Sequence, residues 1–126
     1  MKIVIPLAPV TKKNSQRILI NKATGRPFVM PSEKYKVYEK ACVVFMPRLK
    51  EPIDYPVNVS CRYYMPTKRR VDLVNLLEAT SDIMVRYGIL SDDNSNVIYS
   101  VDGSRVFYDK EHPRTEREIT PIGEEE

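Results

Sequence analysis

Apolar and polar positions change period several times along the chain, and each change marks an element. Met1 to Leu7 (MKIVIPL) reads as a strand, at or near a sheet edge because Pro6 has no N–H for a ladder. Arg17–Asn21 and Arg26–Met30 flank Lys22-Ala23-Thr24-Gly25, which predicts a hairpin with glycine in its turn. Pro31-Ser32 then caps a helix in which Tyr35, Tyr38, Cys42, Phe45 and Leu49 recur at helical spacing, opposite Glu33, Lys36, Glu39 and Lys40. That aromatic row reads as core rather than as a platform for bases. Pro47 ends or kinks this helix, and Glu51 to Pro56 is a connecting loop. From Val57 to Met65, Val57, Val59, Cys61, Tyr63 and Met65 alternate with polar or amphipathic neighbours, as in a half-buried strand.

The strongest helical pattern comes next. Val71 and Leu76 bracket Asp72 as a hydrophobic staple around an Asp N-cap requires. Leu73, Leu76, Leu77, Thr80, Ile83, Met84 and Tyr87 then share one side of a 3.6-residue period, and Gly88 closes the helix in the left-handed position. Val97–Val101 and Ser104–Tyr108 are strand-like. Asp102-Gly103 between them is either a hairpin turn or a bulge in one long strand, and the bulge is the better reading, with the turn at Asp109–Pro113. Asp102 and Arg105 accordingly read as turn chemistry. The last strand is Arg114 to Thr120. The order β, ββ, α, β, α, β(β), β predicts an α+β fold: a mixed β-sheet with two main helices packed on it.

Composition narrows the class. The chain has 126 residues, 42% apolar and 29% charged, which suits one globular domain spanning 1–126. The net charge of +3 does not alone mark a nucleic-acid binder, so the placement of charge must decide. Cys42 and Cys61 have no CxxC or His companions and read as buried free thiols of a reducing compartment. No signal-peptide pattern or membrane-length apolar run appears, so the expectation is a soluble cytoplasmic protein. The single histidine, His112, falls in a predicted loop, which leaves Ser-His-Asp chemistry without support, and no Gly-rich phosphate loop suggests an NTPase.

Candidate chemistry gathers between Lys68 and Asn96. Lys68, Arg69 and Arg70 precede Asp72; Asn75, Glu78 and Asp82 then form a polar stripe on the helix, extended one turn by Arg86. Asp92 and Asp93 follow the helix within a turn that can fold back. Converging oxygen ligands of this kind suit Mg²⁺ or Mn²⁺, and crowded carboxylates imply either a cation or a shared proton. Each feature also has a plain reading: Asp72 as a cap, Asp82 with Arg86 as an i,i+4 ion pair, Asp92-Asp93 as a turn. The adjacent basic run makes the combination favour an anionic substrate. Lys12, Lys13 and Arg17, in the polar loop before the hairpin, would contact phosphates or simply be solvated.

These residues resemble a known family. Met65-Pro66, the run Arg69-Arg70-Val71-Asp72-Leu73-Val74-Asn75-Leu76, Asp82, Gly88 and Asp92-Asp93 are similar to the RusA family of Holliday junction resolvases, and the likeness runs through most of the chain. The resemblance implies a RusA-like single domain and a homodimeric, Mg²⁺-dependent endonuclease of the kind found largely in phages and prophages. It makes Asp72 and Asp93 the metal-binding aspartates. Two positions depart from the family pattern: Val74 stands where the family has a second aspartate, and Glu78 where it has a lysine.

The expected function is metal-dependent cleavage of four-way DNA junctions in recombination or repair, with no membrane association. Asp72, Asp93, Asn75 and Glu78 are the catalytic candidates, with Asp72, Asp93, Asp92 and Asp82 as metal ligands. The DNA-binding candidates are Lys68, Arg69, Arg70, Lys12, Lys13 and Arg17. Two alternatives stay open: a junction-binding relative that does not cleave, and an interaction module whose acidic stripe binds protein.

Overall fold

The computed structural model describes residues 1–12 and 16–123. Among them lie strands β1 (Lys2–Ile5), β2 (Gln16–Ile20) and β3 (Pro27–Pro31), helix α1 (Glu33–Cys42), strand β4 (Val57–Met65) and helix α2 (Leu73–Arg86). Strands β5 (Ile98–Ser100), β6 (Arg105–Tyr108) and β7 (Arg114–Pro121) complete the chain. The main sheet runs β1-β7-β4, with β5 and β6 following one another along the far edge of β4. β7 is antiparallel to both β1 and β4, whereas β5 and β6 are parallel to β4. The sheet is therefore mixed, and the architecture is the α+β arrangement expected. β2 and β3 form a separate hairpin closed by Gly25 at φ 71°.

Because β5 and β6 share one edge of β4, residues 101–104 interrupt a single strand line and do not form a hairpin. Asn58 holds that interruption in place. Its Oδ1 accepts from Ser100 Oγ at 2.6 Å and the Asp102 amide at 2.8 Å, while its Nδ2 donates to the Asp102 carbonyl at 3.1 Å. Asp102 is thus bound through its backbone, in line with the turn reading.

Alternation in the strands decides which face is buried. Ile3 and Ile5, Val57, Val59, Cys61 and Tyr63, and Thr115, Arg117 and Ile119 all turn to the same interior. α1 covers it with Tyr35, Tyr38 and Cys42, and α2 with Leu76, Ala79, Thr80, Ile83 and Met84. The Tyr63 hydroxyl meets Thr80 Oγ1 at 2.6 Å, joining sheet to helix. Burial pushes the thiols of Cys42 and Cys61 up, as it does the Tyr38 hydroxyl, to about 12.

Two local differences from the pattern have clear causes. The first helix becomes a 3₁₀ turn at Val43–Phe45, because Pro47 disfavours helical backbone in the residue before it, and Phe45 ends 40% exposed, outside the core. Arg117 lies on the buried side of β7, opposite Cys61 of β4, where an apolar residue would be expected.

Candidate active site

α2 organises the candidate residues. Asp72 takes extended backbone and its Oδ1 accepts from the Val74 amide at 3.0 Å, so it is the N-cap. At the other end the Gly88 amide donates to Val85 O and the Ile89 amide to Met84 O, the paired bonds of a Schellman motif, with Gly88 at φ 76° and Ile89 fully buried. Ile53 then anchors the outgoing chain: its amide donates to Ile89 O and its carbonyl accepts from the Ser91 amide, both at 2.9 Å. That clamp fixes where the Asp92-Asp93 turn begins.

The turn comes back beside the C-terminal half of α2, not beside its start. Asp93 lines a cavity of about 370 Å³ together with Lys12, Glu39, Asp82, Val85 and Arg86. Loss of hydration, with the Asp92 and Asp82 charges adding to it, holds Asp93 above the usual carboxylate range, although its own amide opposes this. Asp92 Oδ1 accepts from the Asp93 amide at 2.7 Å, as in a tight polar turn. A helix rises 1.5 Å per residue, so Asp82 lies about 15 Å along the axis from the Asp72 cap. Asp72 and Asp93 therefore do not meet within one chain.

Cations complete this cavity. Lys12 Nζ lies 3.3 Å from Asp82 Oδ2, and Arg86 Nη1 lies 2.9 Å from Glu39 Oε1 of α1. The i,i+4 pair between Asp82 and Arg86 suggested by their spacing does not form among the described residues, because each finds a partner from another element. Neither Glu39 nor the reach of Lys12 to α2 is visible in a linear pattern, since both depend on tertiary approach.

The basic run lies at the opposite end of α2. Lys68, Arg69 and Arg70 are exposed, Lys68 stands 5.3 Å from the Tyr108 ring centroid, and the Arg69 amide donates to Thr67 Oγ1 at 3.4 Å. Arg69 and Arg70 border a groove of about 600 Å³ between the segment after β1 and the exit from β4, with Lys34 of α1 on its rim. Lys34 carries no sequence signal of its own; only the fold brings it beside the basic run. On the first turns of α2, Asn75 and Glu78 are half-buried and Val74 is 66% exposed. Lys13 and the side chain of Arg17 lie outside the described residues.

Hard oxygen donors thus occur as Asp82 and Asp93, with the Arg86-paired Glu39 nearby, at one end of α2 and as Asp72 at the other. Among the described residues no group of three or more metal-ligating side chains forms within one chain. Mg²⁺ needs few protein carboxylates because it keeps several waters, so the Asp82–Asp93 end fits a hard cation in its donor chemistry.

The family model for endodeoxyribonuclease RusA matches residues 6–120. The chain belongs to the RusA family. The match spans both ends of α2, the basic run and the Asp92-Asp93 turn, and membership places the chain among endodeoxyribonucleases of the Holliday-junction-resolvase type. No curated protein matches the chain. Among the described residues no helix is long and apolar enough to cross a membrane.

Proposed function

We propose that this RusA-family protein is a divalent-cation-dependent endonuclease of four-way DNA junctions, acting in recombination or repair in the cytoplasm as a homodimer. The observation that carries the dimer is the separation of Asp72 from Asp93 along α2. A twofold axis perpendicular to that helix near its middle would set the N-terminal end of each copy beside the C-terminal end of the other. Each composite site would then hold the partner's Asp72 with Asp82 and Asp93 of this chain, twice per dimer, matching the two strands that a junction resolvase must cut.

In this reading Asp93 and Asp82, with the partner's Asp72, would hold Mg²⁺ or Mn²⁺. The chemistry such a cation would supply there is polarisation of a phosphoryl oxygen and activation of water. The chain's own groups supply the rest. Lys68, Arg69 and Arg70 neutralise backbone charge and set the register of the DNA. Lys12 balances Asp82, which limits the repulsion between the carboxylates and an incoming phosphate. Glu78 and Asn75 border the Asp72 end as hydrogen-bonding groups.

Cleavage of a synthetic four-way junction and of a matched linear duplex, with and without Mg²⁺, tests the proposal. Nicking of the junction alone, and only with the metal, is expected. Binding without nicking at any metal concentration would favour the non-cleaving relative, for which Val74 in place of an aspartate is the specific reason.

A further inference from the structure

We propose that the groove between residues 8–11 and 65–71 binds one unpaired deoxynucleotide, with its base against Pro9, Val10 and Met65 and its phosphates on Lys34, Arg69 and Arg70. The inference deepens the junction-nuclease reading and rests on it for its biological substrate, but the groove's chemistry stands by itself. Its volume of about 600 Å³ is far more than one phosphate fills, and it falls within the range typical of small-molecule sites.

The walls are apolar and held from behind. Pro9 is buried, and Val10, Met65 and Val71 pack partly against the hydrophobic core, so the groove is preformed. The rim is cationic, and its cations are uncommitted. Among the described residues no carboxylate pairs with Lys34, Arg69 or Arg70, whereas Arg62, Arg86, Arg114 and Lys12 are all paired. A partly apolar slot edged by cations that pair with no carboxylate among the described residues complements a base that carries phosphate.

A paired, stacked base presents no face to such a slot. The occupant must be extruded, and extrusion costs least where a base is already unpaired, as at a branch point. Val71 lines the groove and the next residue is Asp72, so a nucleotide held there lies beside one end of the proposed cleavage site. The groove would thereby recognise a branch through its unpaired nucleotide.

Amide NMR spectra of the full chain, titrated with dCMP, dTMP and deoxyribose 5-phosphate, test this. Both nucleotides should shift the amides of Val10, Met65 and Val71, and deoxyribose phosphate should leave these wall residues unmoved. Lys34→Glu should weaken nucleotide binding roughly tenfold or more. This variant puts a carboxylate in the first turn of α1, where the helix dipole favours it, so the fold should persist. With 2-aminopurine at the branch of a four-way junction, wild type should raise its fluorescence and Lys34→Glu should not. No wall shifts at millimolar nucleotide, or equal shifts from deoxyribose phosphate, would overturn the inference. Junction nicking without nucleotide binding sinks the groove and spares the nuclease, whereas nucleotide binding without nicking supports the groove and sinks the nuclease.

Discussion

Asp72 and Asp93 occupy opposite ends of α2: Asp72 caps its first turn, and Asp93 shares a cavity with Asp82, Val85 and Arg86 near its last. The helix between them is 14 residues long, and it is held rigidly by a buried apolar face and closed at both ends by capping bonds. A rigid spacer of about 20 Å cannot be folded away to bring the two carboxylates together. Any site that uses both carboxylates must therefore draw them from two chains.

Capping and any ligand role of Asp72 can be separated by substitution. Asp72→Asn keeps the oxygen that accepts from the Val74 amide, so thermal stability should stay within a degree or two of wild type. Asp72→Ala should lose about 1 kcal/mol. Junction nicking should vanish in both. Nicking by Asp72→Asn at the wild-type rate would reduce Asp72 to a cap.

The basic run makes a prediction about salt. Replacing Lys68, Arg69 and Arg70 together by Ala should weaken junction binding and flatten the slope of log affinity against log salt by up to about three contacts. All three are exposed, so folding should be little changed. An unaltered slope in a folded variant would place the run outside the DNA interface.

Much of this architecture is legible in the sequence because periodicity reports burial. The α2 pattern, its Asp72 cap and its Gly88 terminus are local signals, and the folded chain uses each of them. The 101–104 interruption is legible for the same reason, since strand pattern resumes on both sides. Contacts between distant segments are not. Glu39 meeting Arg86, Lys12 reaching Asp82 and Lys34 joining the basic run all require the helices to be docked first. Arg117 misleads in another way: alternation places it inward, but its charge argues outward, and alternation wins.

Arg117 is buried, and among the described residues none of its three guanidinium nitrogens has a well-formed hydrogen bond, although the Cys42 thiol lies against it. Its charge acts on the nearby Cys42, Cys61, Tyr38 and Tyr63. Burying an ion is costly, and apolar replacements of similar volume are often neutral or stabilising. Arg117→Met should therefore leave stability unchanged or raise it by about 1–4 kcal/mol in chemical denaturation. A loss of several kcal/mol would mean that the guanidinium is compensated in solution.

On the outer face of the sheet, Glu116 accepts from Arg114 Nε at 2.7 Å and Arg62 Nη2 at 3.3 Å, and the Arg114 bond is the main cause holding its carboxyl below the usual range. A depressed folded pKa means that the unfolded chain binds more protons, so this contribution grows with pH. It is complete above the ordinary glutamate value of about 4.3 and disappears as pH falls through the lower folded value. Glu116→Gln should cost about 1 kcal/mol at pH 7 and progressively less as pH falls below the ordinary glutamate range. A cost independent of pH would assign the effect to packing.

Subunit complementation tests the central claim most directly. Asp72→Asn and Asp93→Asn proteins, each inactive alone, are unfolded together, refolded as a mixture and assayed for junction nicking in Mg²⁺. If every site joins Asp93 of one protomer to the partner's Asp72, a mixed dimer concentrates both substitutions in one site and leaves the other intact. With half the dimers mixed, roughly a quarter of the wild-type nicking rate should return. If native mass spectrometry shows mixed dimers and nicking stays absent, the two aspartates do not share a site across the dimer, and the composite arrangement is wrong.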